Sequence, residues 1–244
     1  REKIKINTII LFWIYATIFL TSCLELNPDK RSNTKKLNDS FLNENQALSH
    51  KYSDKVLKKI QLYKTPIMRY STKYKVDWRL VTAIILQESR FREHAISHKG
   101  ARGLMQNMPK NRTYLKDDLD IEFFFDRPEE NIAAGVYHLS QQFVYFGYIQ
   151  DEESQLRIAL ASYNGGAGHL QDAIEISQYL YKDQAFKWEN IKSAISKMGP
   201  ENYDLHLEVW QNGKPRYGYF RNPIETIDYV EAITSYHRDF RIIL

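Results

Sequence analysis

A helical repeat of apolar residues, running from residue 51 to residue 244, constrains the fold of this chain more than any other feature of its sequence. Across this region apolar side chains recur every three or four positions, which is the spacing of one face of an α-helix. Gly (10) and Pro (7) are scarce among the 244 residues, and hydrophobic residues make up 43% of them. The repeat predicts helices over residues 53–63, 66–74, 78–89, 129–146, 153–163, 168–179, 188–197 and 223–240.

The regions between these helices contain most of the turn-forming residues. Loops are predicted over residues 92–126, 164–167 and 199–222, and Asp77 is predicted to cap the helix that begins at Trp78. A short hairpin around Asn212 and Gly213 is the one place where strands are expected. Because no convincing alternating pattern occurs elsewhere, the fold class is predicted to be mainly α.

The first 22 residues have the pattern of a secretory signal peptide. Basic residues precede an uncharged apolar stretch over residues 9–20, which as a helix would span about 18 Å against the roughly 30 Å of a bilayer core. The four residues that end at Cys23, the only cysteine, look like a lipobox, the cleavage and lipidation site of bacterial lipoproteins. We expect a lipid anchor at Cys23. Because Leu24 is not the aspartate associated with inner-membrane retention, we expect an outer-membrane location facing the periplasm. An ordinary signal peptide, or an N-terminal anchor with a chance cysteine, is the alternative.

Residues 23–50 are rich in Asn, Lys, Ser and Asp and have few large apolar side chains. Such a segment cannot bury enough apolar surface to fold alone, so we expect a flexible tether between Cys23 and a folded domain over residues 51–244. The formal net charge is +4, and no Lys/Arg run with interleaved aromatics occurs. A nucleic-acid partner is therefore not expected.

Glu88 is a carboxylate on an apolar helix face. In the helix that begins at Trp78 this face contains Val81, Ile84 and Ile85, and Glu88 is its next member. A buried carboxylate must be paired, protonated or functional. Burial and the negative end of the helix dipole both raise the pKa of a carboxyl group, as general acid catalysis near neutral pH requires. Alternatively, the helix ends early and Glu88 is solvated.

Four further motifs follow Glu88-Ser89 along the chain. They are Gly-Leu-Met-Gln at residues 103–106, Asp-Arg-Pro-Glu-Glu-Asn-Ile at 126–132, Tyr-Asn at 163–164, and Glu-Thr-x-x-Tyr-Val at 225–230. In this order they resemble the family 1 lytic transglycosylases of the soluble-lytic-transglycosylase type. Residues 74–80 and the long 181–222 region are most similar to the membrane-bound F-type enzymes. The resemblance covers residues 66–240 and implies a lysozyme-like, goose-type helical domain with a substrate groove.

The resemblance also implies a role for each matching residue. Glu88 would be the single acid/base catalyst, and Tyr163 would hydrogen-bond to it or orient it. The residues implied to contact substrate are Ser97, Gln106, Met108, Tyr163, Asn164 and Glu225. Structural explanations stay open for several of them: Met105 and Met108 suit a core, Asn164-Gly165 suits a helix end, and Glu225 suits a capping box with Asn222.

The implied activity is non-hydrolytic cleavage of the MurNAc–GlcNAc β-1,4 bond of peptidoglycan, with formation of a 1,6-anhydro-MurNAc end. Peptidoglycan glycan strands are thus the expected partner, and no cofactor or metal is expected, because His94 and His98 have no further ligand at a suitable spacing. The first rival is a hydrolytic muramidase on the same fold, with Asp117, Asp118, Asp120 or Glu122 as its second carboxylate. The other rival is a non-catalytic peptidoglycan-binding lipoprotein.

The chain departs from the family pattern in three places. Arg92-Glu93-His94 replaces the usual small polar residue and proline after the catalytic motif, Asn107 replaces an apolar residue, and Gly165 replaces alanine. These departures bear on the shape of the groove and on substrate preference, and they leave the acid in place.

Overall fold

The computed structural model describes residues 51–111, 115, 119 and 127–244, and the side chain of Lys110 is not among them. The predicted signal peptide, Cys23 and the predicted tether lie outside these residues, as do Asp117, Asp118, Asp120 and Glu122. Ser53–Leu244 form one compact unit. The other unit, Arg1–Tyr52, contributes only Lys51 and Tyr52 to the described part.

The compact unit is built from α-helices, as predicted. They are α1 (Asp54–Tyr74), α2 (Trp78–Ser89), α3 (Pro128–Tyr145), α4 (Glu152–Gly165), α5 (Ala167–Tyr181), α6 (Trp188–Ile195), α7 (Tyr203–Val209) and α8 (Pro223–Ile243). Two isolated antiparallel bridges, Ile96–Arg102 and Arg102–Asn107, are the full extent of β-structure in the described part of the chain. None of the helices described is both long and apolar enough to cross a bilayer.

The helices pack around α2 and α4. Helix α2 lies between α1 and α8, while α4 packs against α3, α5, α6 and α8. Val81, Ala83, Ile84 and Ile85 on α2 are completely buried, which shows that this short helix is the centre of the core rather than a surface element. Its beginning is fixed as the sequence predicts, because the Asp77 carboxylate accepts a hydrogen bond from the Arg79 amide at 2.9 Å.

The prediction of two helices over residues 53–63 and 66–74 is wrong, because α1 is continuous. Pro66 lies inside it and removes one intrahelical hydrogen bond. Leu62, whose carbonyl loses this bond, is 61% exposed. Tyr63 and Ile67 continue the buried face across the proline, so packing of that face outweighs the local preference to break.

Two of the predicted loops contain helix. Leu115 and Leu119 are helical within residues 92–126, and α7 lies within residues 199–222. The expected hairpin around Asn212 is absent from the described residues, since Gly213 at φ +64° forms a tight turn whose amide donates to the Trp210 carbonyl at 2.9 Å. Helix α7 is held by His206, which is completely buried and hydrogen-bonds to the Lys197 carbonyl at 2.8 Å. These tertiary contacts are not visible in a local pattern.

Candidate active site

A groove of about 360 Å³ opens at the C-terminal end of α2. It is formed by the end of α2, the loop that follows, the end of α4 and the start of α8. The structure brings together in it all seven residues singled out from the sequence, which came from positions up to 137 apart. The lining residues are Glu88, Ser97, His98, Lys99, Ala101, Gln106, Met108, Tyr163, Asn164, Asn222 and Glu225.

Glu88 is held in place by a sharp turn of the backbone. Helix α2 ends at Ser89, and both Arg90 (φ +50°) and Phe91 (φ +57°) adopt the left-handed conformation, which is uncommon for residues other than glycine. The Phe91 side chain is 2% exposed, so its burial stabilises this conformation. The turn leaves the partly buried Glu88 facing the groove, with the core behind it.

The electrostatic surroundings of Glu88 favour its protonated form. Burial raises the pKa of Glu88 from 4.5 to about 7, and the charge of Glu225 adds to this effect. A hydrogen bond from the Tyr229 hydroxyl to Glu88 Oε1, at 2.7 Å, acts in the opposite direction but is the weaker influence. At neutral pH, Glu88 can therefore both donate and accept a proton.

Tyr229 is the functional residue that the sequence-based site prediction missed. It is 5% exposed, and burial together with the nearby Glu88 charge raises the pKa of its hydroxyl well above the ordinary value. The hydroxyl thus stays protonated and acts as a permanent donor to Glu88. Its position in the Glu-Thr-x-x-Tyr-Val motif, one helical turn after Glu225, was the available signal.

Tyr163 lines the groove as predicted, but its hydroxyl bonds to a backbone carbonyl rather than to Glu88. Its hydroxyl donates to the Met105 carbonyl at 2.8 Å, and its ring packs against His138 with centroids 5.1 Å apart. Tyr163 therefore links the end of α4 to the loop that carries Gln106, while the hydroxyl that donates to Glu88 belongs to Tyr229. Asn164 is also tied down, since its Oδ1 accepts from the Thr226 hydroxyl at 2.6 Å.

The loop over residues 95–108 is clamped by one buried side chain, that of Asn131 on α3. Asn131 is 1% exposed; its Oδ1 accepts from the Met105 amide at 2.9 Å and its Nδ2 donates to the Arg102 carbonyl at 3.0 Å. Asn107, which departs from the family pattern, donates from Nδ2 to the Asn131 carbonyl at 2.8 Å. The polar residue at this position is thus part of the clamp.

Within this loop, Gln106 and Ser97 are fixed by backbone groups. Gln106 lies at φ +48°, and its side-chain amide donates to the carbonyls of Gly103 and Ala95 at 2.9 and 3.1 Å. Ser97 Oγ accepts from the Ala101 amide at 3.0 Å. Met105 is completely buried, as its alternative interpretation as a core residue predicted, whereas Met108 lines the groove.

Glu225, at the start of α8, is the second carboxylate of the groove. Its side chain is 56% exposed, accepts a hydrogen bond from Asn222 Nδ2 at 2.9 Å and lies 3.9 Å from Lys99 Nζ. The Asn222 contact joins two side chains and is not the predicted capping box, because the Asn222 side chain does not cap the helix. Glu225 is thus largely exposed to solvent, with Asn222 and Lys99 as its polar partners, whereas Glu88 is more deeply buried.

No three His, Cys, Asp or Glu side chains come close enough to hold a metal ion in the part of the chain that the structure describes. A carboxyl group with a pKa near 7, held at a sugar-sized cleft of hydroxyl, amide and thioether groups, defines a class of site suited to acid–base cleavage of a glycosidic bond.

Comparison with known proteins gives the same class. The chain belongs to the Transglycosylase SLT domain family, whose model matches residues 65–186, and this confirms the resemblance drawn from the motifs. It is 30% identical over 187 residues to membrane-bound lytic murein transglycosylase F of Desulfosudis oleivorans, covering 77% of this chain and 38% of that protein. It is 33% identical over 177 residues to the Vibrio cholerae protein of the same name, covering 71% of this chain and 30% of that protein.

Solved structures confirm the predicted fold. An inactive glutamate-to-glutamine mutant of the lytic transglycosylase Slt from Pseudomonas aeruginosa matches with a TM-score of 0.51 and 22% sequence identity, over 73% of this chain and 24% of that one. The chain therefore spans less than half of the length of each of these relatives.

Proposed function

We propose that this protein is a lytic transglycosylase that cleaves the MurNAc–GlcNAc β-1,4 bond of peptidoglycan without using water. The observation that carries the proposal is the state of Glu88, a carboxyl group in the groove with a pKa of about 7 and a permanent hydrogen-bond donor on one oxygen. Membership of the Transglycosylase SLT domain family and the names of the relatives support the same activity.

The first step uses Glu88 as an acid. Because Oε1 accepts the Tyr229 hydrogen bond, the acidic proton is carried by Oε2. Glu88 donates it to the bridging oxygen as the bond from that oxygen to MurNAc C1 breaks, and the GlcNAc hydroxyl leaves. The positive charge that develops at C1 is stabilised by the substrate's own N-acetyl group, as in the substrate-assisted exceptions to the two-carboxylate scheme.

The second step uses the same residue as a base. Glu88, now a carboxylate, takes the proton from the C6 hydroxyl of MurNAc while O6 forms a bond to C1. The product is a 1,6-anhydro ring, and the catalyst returns to its protonated form without net consumption of water. A pKa near 7 suits both steps, because neither protonation state is strongly disfavoured at neutral pH.

The remaining groove residues are proposed to position the sugar. Ser97, Gln106, Met108, Tyr163 and Asn164 lie on two clamped backbone segments, so their geometry is set before substrate arrives. Glu225 is proposed to contact substrate from the opposite wall.

Product analysis tests the proposal. The chain should solubilise purified sacculi and release muropeptides that end in 1,6-anhydro-MurNAc, which mass spectrometry distinguishes from reducing-end MurNAc by the loss of one water. Reducing-end products would identify a hydrolytic muramidase, and retained binding with no products would identify a binding protein.

We also infer that the chain is lipidated at Cys23 and attached to the outer membrane facing the periplasm. The short apolar stretch before Cys23 supports this, as does the word "membrane-bound" in the names of its relatives. Labelled palmitate should be incorporated into the wild-type chain and not into Cys23→Ala. Because stable anchoring needs two or more acyl chains, the variant, which carries none, should leave the membrane fraction. Unchanged retention of Cys23→Ala would contradict lipid anchoring.

A further inference from the structure

A cavity of about 610 Å³ lies between α4 and α8 and shares no described lining residue with the catalytic groove. Its charged lining is cationic, since three arginines meet two glutamates there. These five residues are Arg157, Arg238, Arg241, Glu153 and Glu231. The proposed reaction uses none of them, so the charge of this cavity needs an explanation of its own.

Only one of the three arginines is neutralised by the two glutamates. Arg157 hydrogen-bonds to both Glu153 and Glu231, at 2.6 and 2.9 Å. Arg238 and Arg241 are exposed, and their guanidinium groups make no hydrogen bond or ion pair with any residue that the structure describes. The two are three positions apart on α8, so their charges lie side by side and repel each other. The helix dipole favours a cation in the last turn, where Arg241 lies, but it does not account for Arg238.

The cavity therefore presents two free guanidinium groups to a single anion. The preferred partner of a guanidinium is a carboxylate or a phosphate, because its planar fork matches two oxygens of such a group. A phosphate offers enough oxygens for two guanidinium groups at once.

Exposed apolar side chains lie close to this cavity. They follow the end of α3 and are Val144 (73% exposed), Tyr145 (50%) and Tyr148 (48%). The Tyr148 ring packs edge-on against Phe186 with centroids 5.7 Å apart, and two residues further on Trp188 Nε1 donates to Glu231 at 3.2 Å. Residues 186–188 thus join the apolar side chains to the wall of the cavity. These three side chains, together with Arg238 and Arg241, are named here the distal surface.

The distal surface and the catalytic groove lie at opposite ends of α8. Glu225, near the start of this helix, lines the groove, whereas Arg241 is sixteen positions further on, about 24 Å along the helix axis. Helix α4 runs antiparallel to α8: its end bonds to Thr226, and Arg157, which precedes that end, bonds to Glu231. A partner that covers the distal surface therefore leaves the groove open.

We propose that the distal surface docks on a phospholipid membrane, with the Arg238 and Arg241 guanidinium groups on a headgroup phosphate. The exposed apolar side chains favour a lipid over free phosphate, since tyrosines suit the boundary between headgroups and acyl chains. The inference rests on the membrane attachment proposed above and names the protein surface that meets the bilayer, but it does not require acylation of Cys23. The groove then faces away from the membrane, toward peptidoglycan.

Titration of the full-length chain with soluble probes tests the site. The probes are dihexanoyl phosphatidylglycerol below its micellar concentration, glycerol phosphate and inorganic phosphate, and the heat of binding is recorded. The short-chain lipid should bind most tightly, because it alone combines a phosphate with acyl chains. Arg238→Ala/Arg241→Ala should weaken its binding by about 10- to 30-fold, as expected for the loss of two exposed charged hydrogen bonds.

Lys55→Ala/Lys58→Ala is the matched control. It also removes two exposed cations three positions apart on one helix, and neither lysine lines the cavity. Its affinity for the short-chain lipid should stay within about twofold of the wild type. Val144→Ser/Tyr145→Ser removes apolar surface only, so it should weaken binding of the short-chain lipid by about 5-fold and leave that of glycerol phosphate within about twofold. Urea unfolding of each variant checks that its fold is kept.

Docking on a bilayer is measured with the same full-length chain. The wild type is attached to vesicles of phosphatidylglycerol and to vesicles of a galactolipid, which has no phosphate. Amide hydrogen exchange over residues 144–150 and 236–243 should be slower on the phosphatidylglycerol vesicles, whereas exchange over residues 95–108 of the groove should be the same on both. In Arg238→Ala/Arg241→Ala the difference between the vesicles should disappear.

Other outcomes would overturn the proposal. Equal affinity for inorganic phosphate and for the short-chain lipid would identify a site for free phosphate. No loss in Arg238→Ala/Arg241→Ala, or an equal loss in Lys55→Ala/Lys58→Ala, would show that the two arginines do not bind the headgroup. Tighter binding of a soluble disaccharide-tetrapeptide, lost in the arginine variant, would identify a second site for peptidoglycan.

These outcomes are distinguishable from failure of the proposed function. The soluble probes need no acyl anchor, so Cys23→Ala should bind the short-chain lipid as the wild type does even if labelled palmitate shows no lipidation. Release of muropeptides from sacculi is measured separately. Lipid binding by a chain that releases no products would sink the proposed reaction and leave the docking surface standing.

Discussion

Two cavities of this molecule differ in how their carboxylates are satisfied. The larger one, about 610 Å³, lies between α4 and α8, and its acidic residues Glu153 and Glu231 both hydrogen-bond to Arg157, at 2.6 and 2.9 Å. Burial opposes ionisation of Glu231, but the hydrogen bonds from Arg157 and Trp188 outweigh it and lower the pKa of Glu231. The smaller groove holds Glu88, whose pKa is raised to about 7. By volume alone the larger cavity would be the better candidate for an active site. The raised pKa of Glu88 instead favours the smaller groove.

The walls of the two cavities differ as well. The larger cavity is formed by two regular helices, whereas one side of the groove is an irregular loop held by Asn131. Loops positioned by a rigid scaffold commonly carry binding and catalytic groups. A carboxyl group bonded to a hydroxyl rather than to a cation, together with a clamped loop, distinguishes the proposed catalytic groove from the larger cavity.

The largest effect is expected from Glu88→Gln. The amide keeps the shape and can still accept the Tyr229 hydrogen bond, but it cannot donate a proton and then receive one. Positioned acid–base groups contribute about 10²–10⁴-fold in rate, and because Glu88 serves both steps we expect a loss of about 10⁴-fold or more, measured as release of anhydro-muropeptides.

The matched control is Glu231→Gln in the larger cavity. It should leave the rate within about twofold of the wild type and lower the free energy of unfolding by less than about 1 kcal/mol, as for a partly exposed ion pair. Equal losses of activity in the two variants would remove the distinction between the cavities.

Asn131→Ala should have the next largest effect. It removes the acceptor of the buried Met105 amide and one hydrogen bond to the Arg102 carbonyl, so the free energy of unfolding should fall by about 2–3 kcal/mol in urea denaturation. Activity should fall with it, because the loop carries Ser97 and Gln106. Asn190→Ala, which removes an exposed side-chain hydrogen bond to Gln184, is the control and should change stability by less than about 1 kcal/mol.

The sequence predicted the helices best where a periodic apolar face and a cap coincide. Helix α2 and its Asp77 cap were predicted to the residue, because Val81, Ile84 and Ile85 form one face and a carboxylate precedes it. The break predicted before Pro66 failed because the local preference of one residue was overridden by packing along α1. Helix α7 was not predicted, because a helix of seven residues with His206 as its one buried residue shows almost no apolar repeat in the sequence.

The site was predictable as a set of residues but not as a hydrogen-bond network. Motif order was enough to name Glu88, Gln106, Tyr163 and Glu225, which line one groove. Which tyrosine donates to Glu88 depends on how α4 and α8 meet α2, and spacing along the chain does not encode that. The clamp by Asn131 and Asn107 likewise depends on α3 lying behind the loop.

The raised pKa of Glu88 also predicts how stability depends on pH. Its pKa is about 7 in the folded state and 4.5 in the unfolded state, so the folded state binds more protons between these values and stability falls as pH rises from about 4.5 to 7. The difference corresponds to about 3 kcal/mol as an upper bound. Glu88→Gln should therefore raise the free energy of unfolding by up to that amount at pH 8 and by little at pH 4. Glu231→Gln should show no such gain at pH 8. A pH-independent effect of Glu88→Gln would contradict the raised pKa.

The smallest effect on the rate is expected from Tyr229→Phe, a variant that tests the hydrogen bond to Glu88 directly. The wild-type rate should decline as pH rises through about 7, because Glu88 must be protonated to act as the acid. The Tyr229 hydroxyl stabilises the carboxylate form, so its removal should raise the pKa of Glu88 further and move the alkaline decline to higher pH. The rate at low pH should change only modestly, since the acid itself remains.

Tyr163→Phe serves as the comparison, because the Tyr163 hydroxyl bonds to the Met105 carbonyl. This variant should lower activity by displacing the loop, while the pH at which the rate declines stays as in the wild type. A shift of the decline in Tyr163→Phe and none in Tyr229→Phe would reverse the assignment of the two tyrosines.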